Sequence, residues 1–150
     1  MTDELHDSNL SVGQALLSRT RTYLPVVQSI MAEKGESILG LVHCSGGGQT
    51  KCMRFGTGVH HMKDNLFTPP PLFEEIKKVS GTTDEEMHQV YNMGNRFEVY
   101  CQPDAVEEII SISNSFHIEA QVVGRTESSS KEDQSNHLTI KTDKVQLSYG

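Results

Sequence analysis

The stretch "SILGLVHCSGGGQT", residues 37–50, joins a run of apolar residues to three consecutive glycines. The apolar run has the length of a β-strand, and its near-continuous hydrophobicity predicts a strand in the centre of a sheet. Glycine loses more backbone entropy on folding than other residues, so three in a row indicate unusual backbone conformation or close approach. A strand, a glycine turn and a helix start together present backbone N–H groups to an anion. A tight turn without a ligand is the alternative.

On either side of this stretch, the spacing of apolar residues predicts alternating helices and strands. Prolines and glycines mark the expected helix ends, as at Pro71, Gly81 and Pro103. The predicted fold class is α+β, an α/β sandwich in which helices cover a mixed β-sheet. Residues 1–15 are expected to form a poorly ordered arm, and residues 16–150 a single domain. Helices are predicted over residues 24–35, 68–81, 82–94 and 103–116, and strands over 37–43, 96–102 and 118–127. Two further strands with a turn near Thr142–Lys144 are predicted over residues 137–149.

The composition excludes several classes of protein. A net charge of −7 argues against a nucleic-acid partner, because nucleic-acid binders present a basic face. No apolar run reaches the roughly 20 residues of a membrane span, and the polar start is not a signal peptide. The three cysteines fit no zinc-binding spacing and predict reduced thiols in a cytoplasmic protein. His60 and His61 are adjacent on an extended chain and point apart, so no metal site is predicted.

The candidate functional residues lie around the glycines. Gly46, Gly47 and Gly48 are the candidate anion site, to which Lys51 and Arg54 could add positive charge. His43 ends the preceding strand, where a histidine can act as acid or base near neutral pH, although a lone histidine more often has a structural role. Asn92 lies in "NMG", residues 92–94, which can also be a simple helix stop.

Several stretches together resemble one family. "VHCSGGGQT" at residues 42–50 resembles the "HITGGG" element of phosphoribosylformylglycinamidine cyclo-ligase, the aminoimidazole ribonucleotide synthetase of purine biosynthesis. "YNMG" at residues 91–94 resembles its "FNMG", and "TRTY" at residues 20–23 resembles its "TRIY". "PPLFEEIKKVSGTTDEEM" is similar to its "PPIF…EEEM" helix pair, and "AQVVGRTE" to its "AYVIGEV" strand. The order and spacing of these elements carry the resemblance, over about residues 16–127.

The resemblance covers only the carboxyl-terminal domain of that family, and nothing here corresponds to the amino-terminal domain that binds ATP and magnesium. The family usually continues "GGGLxENIPR", whereas this sequence reads "GGGQTKCMRF". The differences leave the roles of residues 51–55 open and suggest a divergent bacterial branch. ATP and magnesium are therefore expected as cofactors of the full-length enzyme, and none is predicted for this chain alone.

The reaction implied by the resemblance closes an imidazole ring. ATP activates the formyl oxygen of formylglycinamidine ribonucleotide, a nitrogen attacks the activated carbon, and aminoimidazole ribonucleotide, ADP and phosphate are formed. The resemblance implies that the three glycines bind a substrate phosphate, that His43 carries a proton or orients the substrate, and that Asn92 contacts the substrate. Thr20 and Arg21 are expected to contact anionic groups or a subunit interface. We expect a homodimer, and an isolated chain that is inactive.

Two alternatives to this function stay open. A binding or assembly module without catalytic activity could keep the same fold. A relative could make another ATP-activated intermediate, as thiamine-monophosphate kinase and the hydrogenase-maturation protein do.

Overall fold

The computed structural model describes residues 4–150, which divide into two compact units. The first unit comprises the chain up to Arg19, Cys44–Arg96 and Val123–Gly150, and the second comprises Thr20–His43 and Phe97–Val122. Each unit is formed from separate segments of the chain, and the single domain expected over residues 16–150 stays a prediction. Helices together with a mixed and an antiparallel sheet confirm the predicted α+β class.

Five α-helices and six β-strands make up the described chain. The helices are α1 (Val12–Leu16), α2 (Leu24–Lys34), α3 (Pro71–Ser80), α4 (Asp84–Val90) and α5 (Val106–Ser115). The strands are β1 (Ile38–His43), β2 (Val59–Lys63), β3 (Phe97–Cys101), β4 (Gly124–Ser128), β5 (His137–Lys141) and β6 (Gln146–Tyr149). Short 3-10 helices cover Gly35–Ser37, Gly48–Arg54 and Pro103–Ala105. No helix of residues 4–150 is long and apolar enough to cross a bilayer.

The first unit is built on a four-stranded sheet in the order β4-β2-β5-β6. Strands β2 and β5 run parallel, and the two outer pairs are antiparallel, so the sheet is mixed as expected. Alternate residues of a strand lie on the same face of the sheet. One face of this sheet is buried, since Leu138 and Ile140 on β5 are fully buried and Lys63 on β2 is nearly so. The 3-10 helix Gly48–Arg54 and α4 pack together in this unit.

Helix α3 begins and ends as its sequence predicts, whereas α4 begins as predicted but ends at Val90, before the expected stop at Gly94. Prolines open α3, and Gly81 closes it in a left-handed conformation with φ 70°. The side chain of Thr83 accepts a hydrogen bond from the Glu86 backbone N–H and caps α4, whose first turn is acidic. The Tyr149 hydroxyl of β6 donates to the Glu85 carbonyl at 2.8 Å, and burial raises the pKa of Tyr149 to about 12.

The second unit packs α2 and α5 beside the antiparallel pair β1 and β3. Its core is apolar, and α2 and α5 are also joined by an ion pair of 2.6 Å between Lys34 and Glu108. This contact raises the pKa of Lys34, mainly through the hydrogen bond to the carboxylate. The buried core residues are Val26, Ile30, Ala105 and Ile109, with Tyr23, Val99 and Ile112 packed against them.

The structure corrects the expected place of β1. The apolar run predicted a central strand, but β1 pairs with β3 alone in a two-stranded sheet. Leu39 is 65% exposed and Leu41 is 38% exposed, so this face of the strand is open in the chain described here. A continuous apolar run is typical of a strand covered on both faces, but the run alone does not specify what covers it.

Three further segments differ from the expectations. Residues 4–16 contain a bridge between Glu4 and Ser11 and helix α1, which the sequence did not predict. Residues 1–3 lie outside the described residues, and the poorly ordered arm over residues 1–15 stays a prediction. The Ser11 hydroxyl caps α1 in a capping box with Gln14. Strand β2 was not predicted, and the strand expected over residues 118–127 is confined to β4.

Candidate functional site

The glycine turn follows β1 and leads into the 3-10 helix Gly48–Arg54. Gly46, Gly47 and Gly48 have φ values of 66°, 113° and 50°. Residues with a side chain rarely adopt this left-handed region, and three in succession would store considerable strain. The Thr50 backbone N–H and hydroxyl both donate to the Gly47 carbonyl, at 2.9 and 2.8 Å, and close the turn. Backbone conformation therefore explains the triple glycine in the sequence.

Gly48 has a second constraint, which is packing. It is buried against the end of α4, where a methyl group on its Cα would lie 2.4 Å from the Tyr91 carbonyl oxygen. The same methyl group would lie 2.7 Å from the His88 carbonyl oxygen. Close approach of backbone to backbone thus accounts for Gly48 without a ligand.

Gly46 and Gly47 are different, because they lie towards the surface beside two cationic side chains. A methyl group on Gly46 would meet no atom within 4 Å, so the space over this residue is open. A methyl group on Gly47 would lie 3.4 Å from Nη2 of Arg54. Lys51 Nζ donates to the Ser45 carbonyl at 2.7 Å, which holds a second positive charge against the turn. The turn therefore combines accessible backbone with local positive charge.

Asn92 lies in the loop after α4, in the same unit as the glycine turn. Its Oδ1 accepts a hydrogen bond of 3.0 Å from the Gly94 backbone N–H, and Met93 adopts a positive φ of 49°. These features form a local turn of the kind that asparagine favours. Helix α4 already ends at Val90, before Gly94. The turn supplies a structural role for the Asn92 side chain, and its contact with substrate stays a prediction.

Gln49 connects these two segments and was not singled out from the sequence. Its side chain is fully buried, and its Nε2 donates to the carbonyls of Asn92 at 2.6 Å and Asn95 at 3.2 Å. Lys63, also buried, donates from Nζ to Gln49 Oε1 at 3.1 Å and to the Gln49 carbonyl at 2.9 Å. The signal in the sequence was a glutamine directly after the glycines, where the resembling family usually has leucine.

The remaining predicted residues, Thr20, Arg21 and His43, belong to the second unit. His43 ends β1 with an exposed side chain, and its ring centroid lies 6.0 Å from that of Tyr23 and 6.1 Å from that of Phe97. Arg21 Nη1 donates to the His117 carbonyl at 3.3 Å. Thr20 is exposed. Asn92 and the glycine turn thus lie in the first unit, whereas Thr20, Arg21 and His43 lie in the second.

The histidine pair on β2 alternates across the sheet as expected. His61 is buried, whereas the His60 ring stacks on His137 of β5, with centroids 4.0 Å apart. Burial, followed by the neighbouring His137, lowers the pKa of His60. No three His, Cys, Asp or Glu side chains within residues 4–150 converge on a point where they could hold a metal ion.

The sequence and the fold have known relatives. The family model described as "AIR synthase related protein, C-terminal domain" matches residues 2–134. A protein of Methanocaldococcus jannaschii named phosphoribosylformylglycinamidine cyclo-ligase is 36% identical over 115 residues, and one of Methanococcus vannielii is 40% identical over 126. These alignments cover 77% and 81% of this chain, but 33% and 35% of the relatives, so the chain spans about a third of their length.

The crystal structure of HypE from E. coli, a hydrogenase maturation protein, has the same fold. Its TM-score is 0.60 at 14% identity, and the match covers 92% of this chain and 42% of that one.

The two relatives named above are archaeal, so they give no support to the bacterial branch suggested by residues 51–55. The resemblance drawn from the glycine turn, "YNMG" and "TRTY" is confirmed, and this chain belongs to the AIR synthase related family, of which it matches the C-terminal domain.

Proposed function

We propose that this chain is the C-terminal domain of a phosphoribosylformylglycinamidine cyclo-ligase and works together with an ATP-binding domain. The reaction would convert formylglycinamidine ribonucleotide and ATP to aminoimidazole ribonucleotide, ADP and phosphate, in the cytoplasm. The names of the curated relatives and their alignment over most of this chain support the proposal. The resemblance covers only the carboxyl-terminal domain, so we assign the nucleotide and its metal ion to the part of the relatives that this chain does not span.

The role of this chain in that reaction is to bind the phosphate of the substrate, most simply the ribose 5′-phosphate. The observation that carries this assignment is the Arg54 guanidinium, which lies beside Gly47 and has no hydrogen-bond or ion-pair partner within residues 4–150. Guanidinium groups bind phosphate oxygens in pairs, and backbone N–H groups in left-handed turns form anion-binding concavities. The net charge of −7 opposes binding, but distant acids are screened over about 8 Å in physiological salt.

The other predicted residues have separate roles in the proposal. His43 would carry a proton or orient the substrate, since its ring is exposed and held beside two aromatic rings. Asn92 would hydrogen-bond the substrate through the amide that its own turn leaves available. Thr20 and Arg21 would contact anionic groups or a subunit interface, and Gly48 would support the turn by close packing.

Dimer contacts are the second part of the proposal. Strand β1 exposes Leu39 and Leu41, and within residues 4–150 it lies in a two-stranded sheet with β3. Exposed apolar edge strands are sites of association between chains. We expect a second copy of this chain to cover this sheet.

The phosphate site can be tested with a matched pair of glycine variants. Gly46 and Gly81 have φ values of 66° and 70°, and a methyl group on either would meet no atom within 4 Å. Gly46→Ala and Gly81→Ala therefore introduce the same backbone strain in the same unit, and only the first places a methyl group in the proposed site. We expect Gly46→Ala and Arg54→Gln each to weaken binding of ribose 5-phosphate by about tenfold or more in calorimetry. Gly81→Ala should bind as the parent does. Parental affinity in both site variants would show that the glycines form only a turn.

A further inference from the structure

Gln49 is a fully buried polar side chain next to the glycine turn, and both its amide nitrogen and its amide oxygen are hydrogen-bonded. It follows Gly48 directly, and none of its surface is exposed. A primary amide offers two donor hydrogens and an acceptor oxygen, and burying them without partners is costly. Here the nitrogen donates to two carbonyls, of Asn92 and Asn95, and the oxygen accepts from Lys63.

The chemistry of these partners fixes the orientation of the amide. Lys63 Nζ only donates, so it must face Oε1, and the two carbonyls only accept, so they must face Nε2. Rotating the amide by half a turn would oppose donor to donor and acceptor to acceptor. Lys63 also donates to the Gln49 carbonyl, which ties the backbone of the turn to strand β2. A buried network satisfied in this way admits a single geometry.

This geometry connects two segments that lie 43 residues apart in the chain. One is the glycine turn, and the other is the loop of residues 92–95, which carries Asn92. A leucine at position 49 could neither donate to the two carbonyls nor accept from Lys63, so the link depends on the amide of Gln49.

We propose that Gln49 is a positioning residue that holds Gly46 and Gly47 in a fixed place relative to Asn92, so that both can bind one phosphorylated ligand. This inference rests on the proposed phosphate site. Gln49 acts through backbone carbonyls and does not itself touch the ligand. Its contribution is to keep the turn ordered before the ligand arrives, which removes an ordering cost from binding.

The experiment compares Gln49→Leu and Gln49→Glu with Ile140→Val in the full 150-residue chain. Ile140 is fully buried on β5 opposite Lys63, so Ile140→Val provides a modest loss of stability that removes no hydrogen bond of the network. Gln49→Glu keeps nearly the same shape and an acceptor for Lys63, but loses the donor to the two carbonyls. Gln49→Glu therefore provides the test if Gln49→Leu fails to fold. Binding of inorganic phosphate and of ribose 5-phosphate is followed by amide chemical shifts.

Each Gln49 variant is expected to weaken phosphate binding by about tenfold, whereas Ile140→Val stays within about twofold of the parent. Affinities are compared at the same number of degrees below the melting temperature of each variant, so that differences in global stability do not account for the effect. Affinity equal to that of the parent in a folded Gln49 variant would overturn the inference.

A second readout separates this inference from the proposed function. If the parent itself binds no phosphate, the proposed phosphate site fails, and amide hydrogen exchange still tests Gln49. Exchange at Gly46, Gly47 and Asn92 should then be several-fold faster in both Gln49 variants than in Ile140→Val. Equal exchange rates at these amides would overturn the positioning role even in that case.

Discussion

Gly48 provides the sharpest test of the packing around the glycine turn. Replacement by alanine would place a methyl group 2.4 Å from the Tyr91 carbonyl oxygen and 2.7 Å from that of His88. Both atoms are backbone at the end of α4, so they cannot move as a flexible side chain would. Overpacking of this kind costs about 1–3 kcal/mol. The left-handed backbone, with φ 50°, adds about 1–2 kcal/mol for any residue with a Cβ.

Gly48→Ala is therefore expected to lower the free energy of unfolding by roughly 2–5 kcal/mol, a large share of the 5–15 kcal/mol typical of a domain. Gly81→Ala has the strain without the contact and should cost about 1 kcal/mol. A chain of this size loses about 2–4 °C in melting temperature per kcal/mol, so thermal unfolding followed by circular dichroism resolves the two. If Gly48→Ala melts no lower than Gly81→Ala, the turn does not pack against α4 as described.

Three further outcomes are expected. The purified chain with ATP, magnesium and formylglycinamidine ribonucleotide should form no aminoimidazole ribonucleotide, and measurable ring closure would contradict the assignment of the nucleotide to a missing domain. The lowered pKa of His60 means that the unfolded chain binds this proton more tightly, so the free energy of unfolding should fall as pH drops below 6.5. His60→Gln should flatten this dependence in denaturant titrations between about pH 7.5 and about pH 5.5, and an unchanged slope would refute it. Light scattering at tens of micromolar should give the mass of a dimer that Leu41→Lys disrupts, and a monomer mass for the parent would count against association through β1.

The helices could be predicted because their ends are marked locally. Prolines and Gly81 define α3, and Thr83 defines the start of α4, whatever the rest of the chain does. Strand β2 could not be predicted in the same way. Its sequence "VHHMK" has two histidines and a lysine, and it becomes a strand because β4 and β5 pair with it from distant parts of the chain. Tertiary pairing of this kind leaves little trace in local propensity.

The residues of the candidate site also differ in whether a local signal in the sequence could identify them. The glycine turn was found from the sequence because positive φ values require glycine, which is a local property. Gln49 and Lys63 were not found, because a buried amide and a buried ammonium are recognised only by the partners that satisfy them. Asn92 falls between the two cases: its turn is local, whereas its carbonyl is held by Gln49 across the fold.

The parallel pairing of β2 with β5 has a consequence for synthesis on the ribosome. Strands β2 and β5 form the central pair of their sheet. This pair cannot form until residues 137–141, which make up β5, have been synthesised. The segments of the second unit are complete once Val122 has been added, so that unit can fold earlier. Strand β4 precedes β5 and can pair with one edge of β2, but the other edge of β2 stays exposed until β5 has been synthesised. At about 5–20 residues per second this interval lasts seconds, which is long enough for a chaperone to engage the strand.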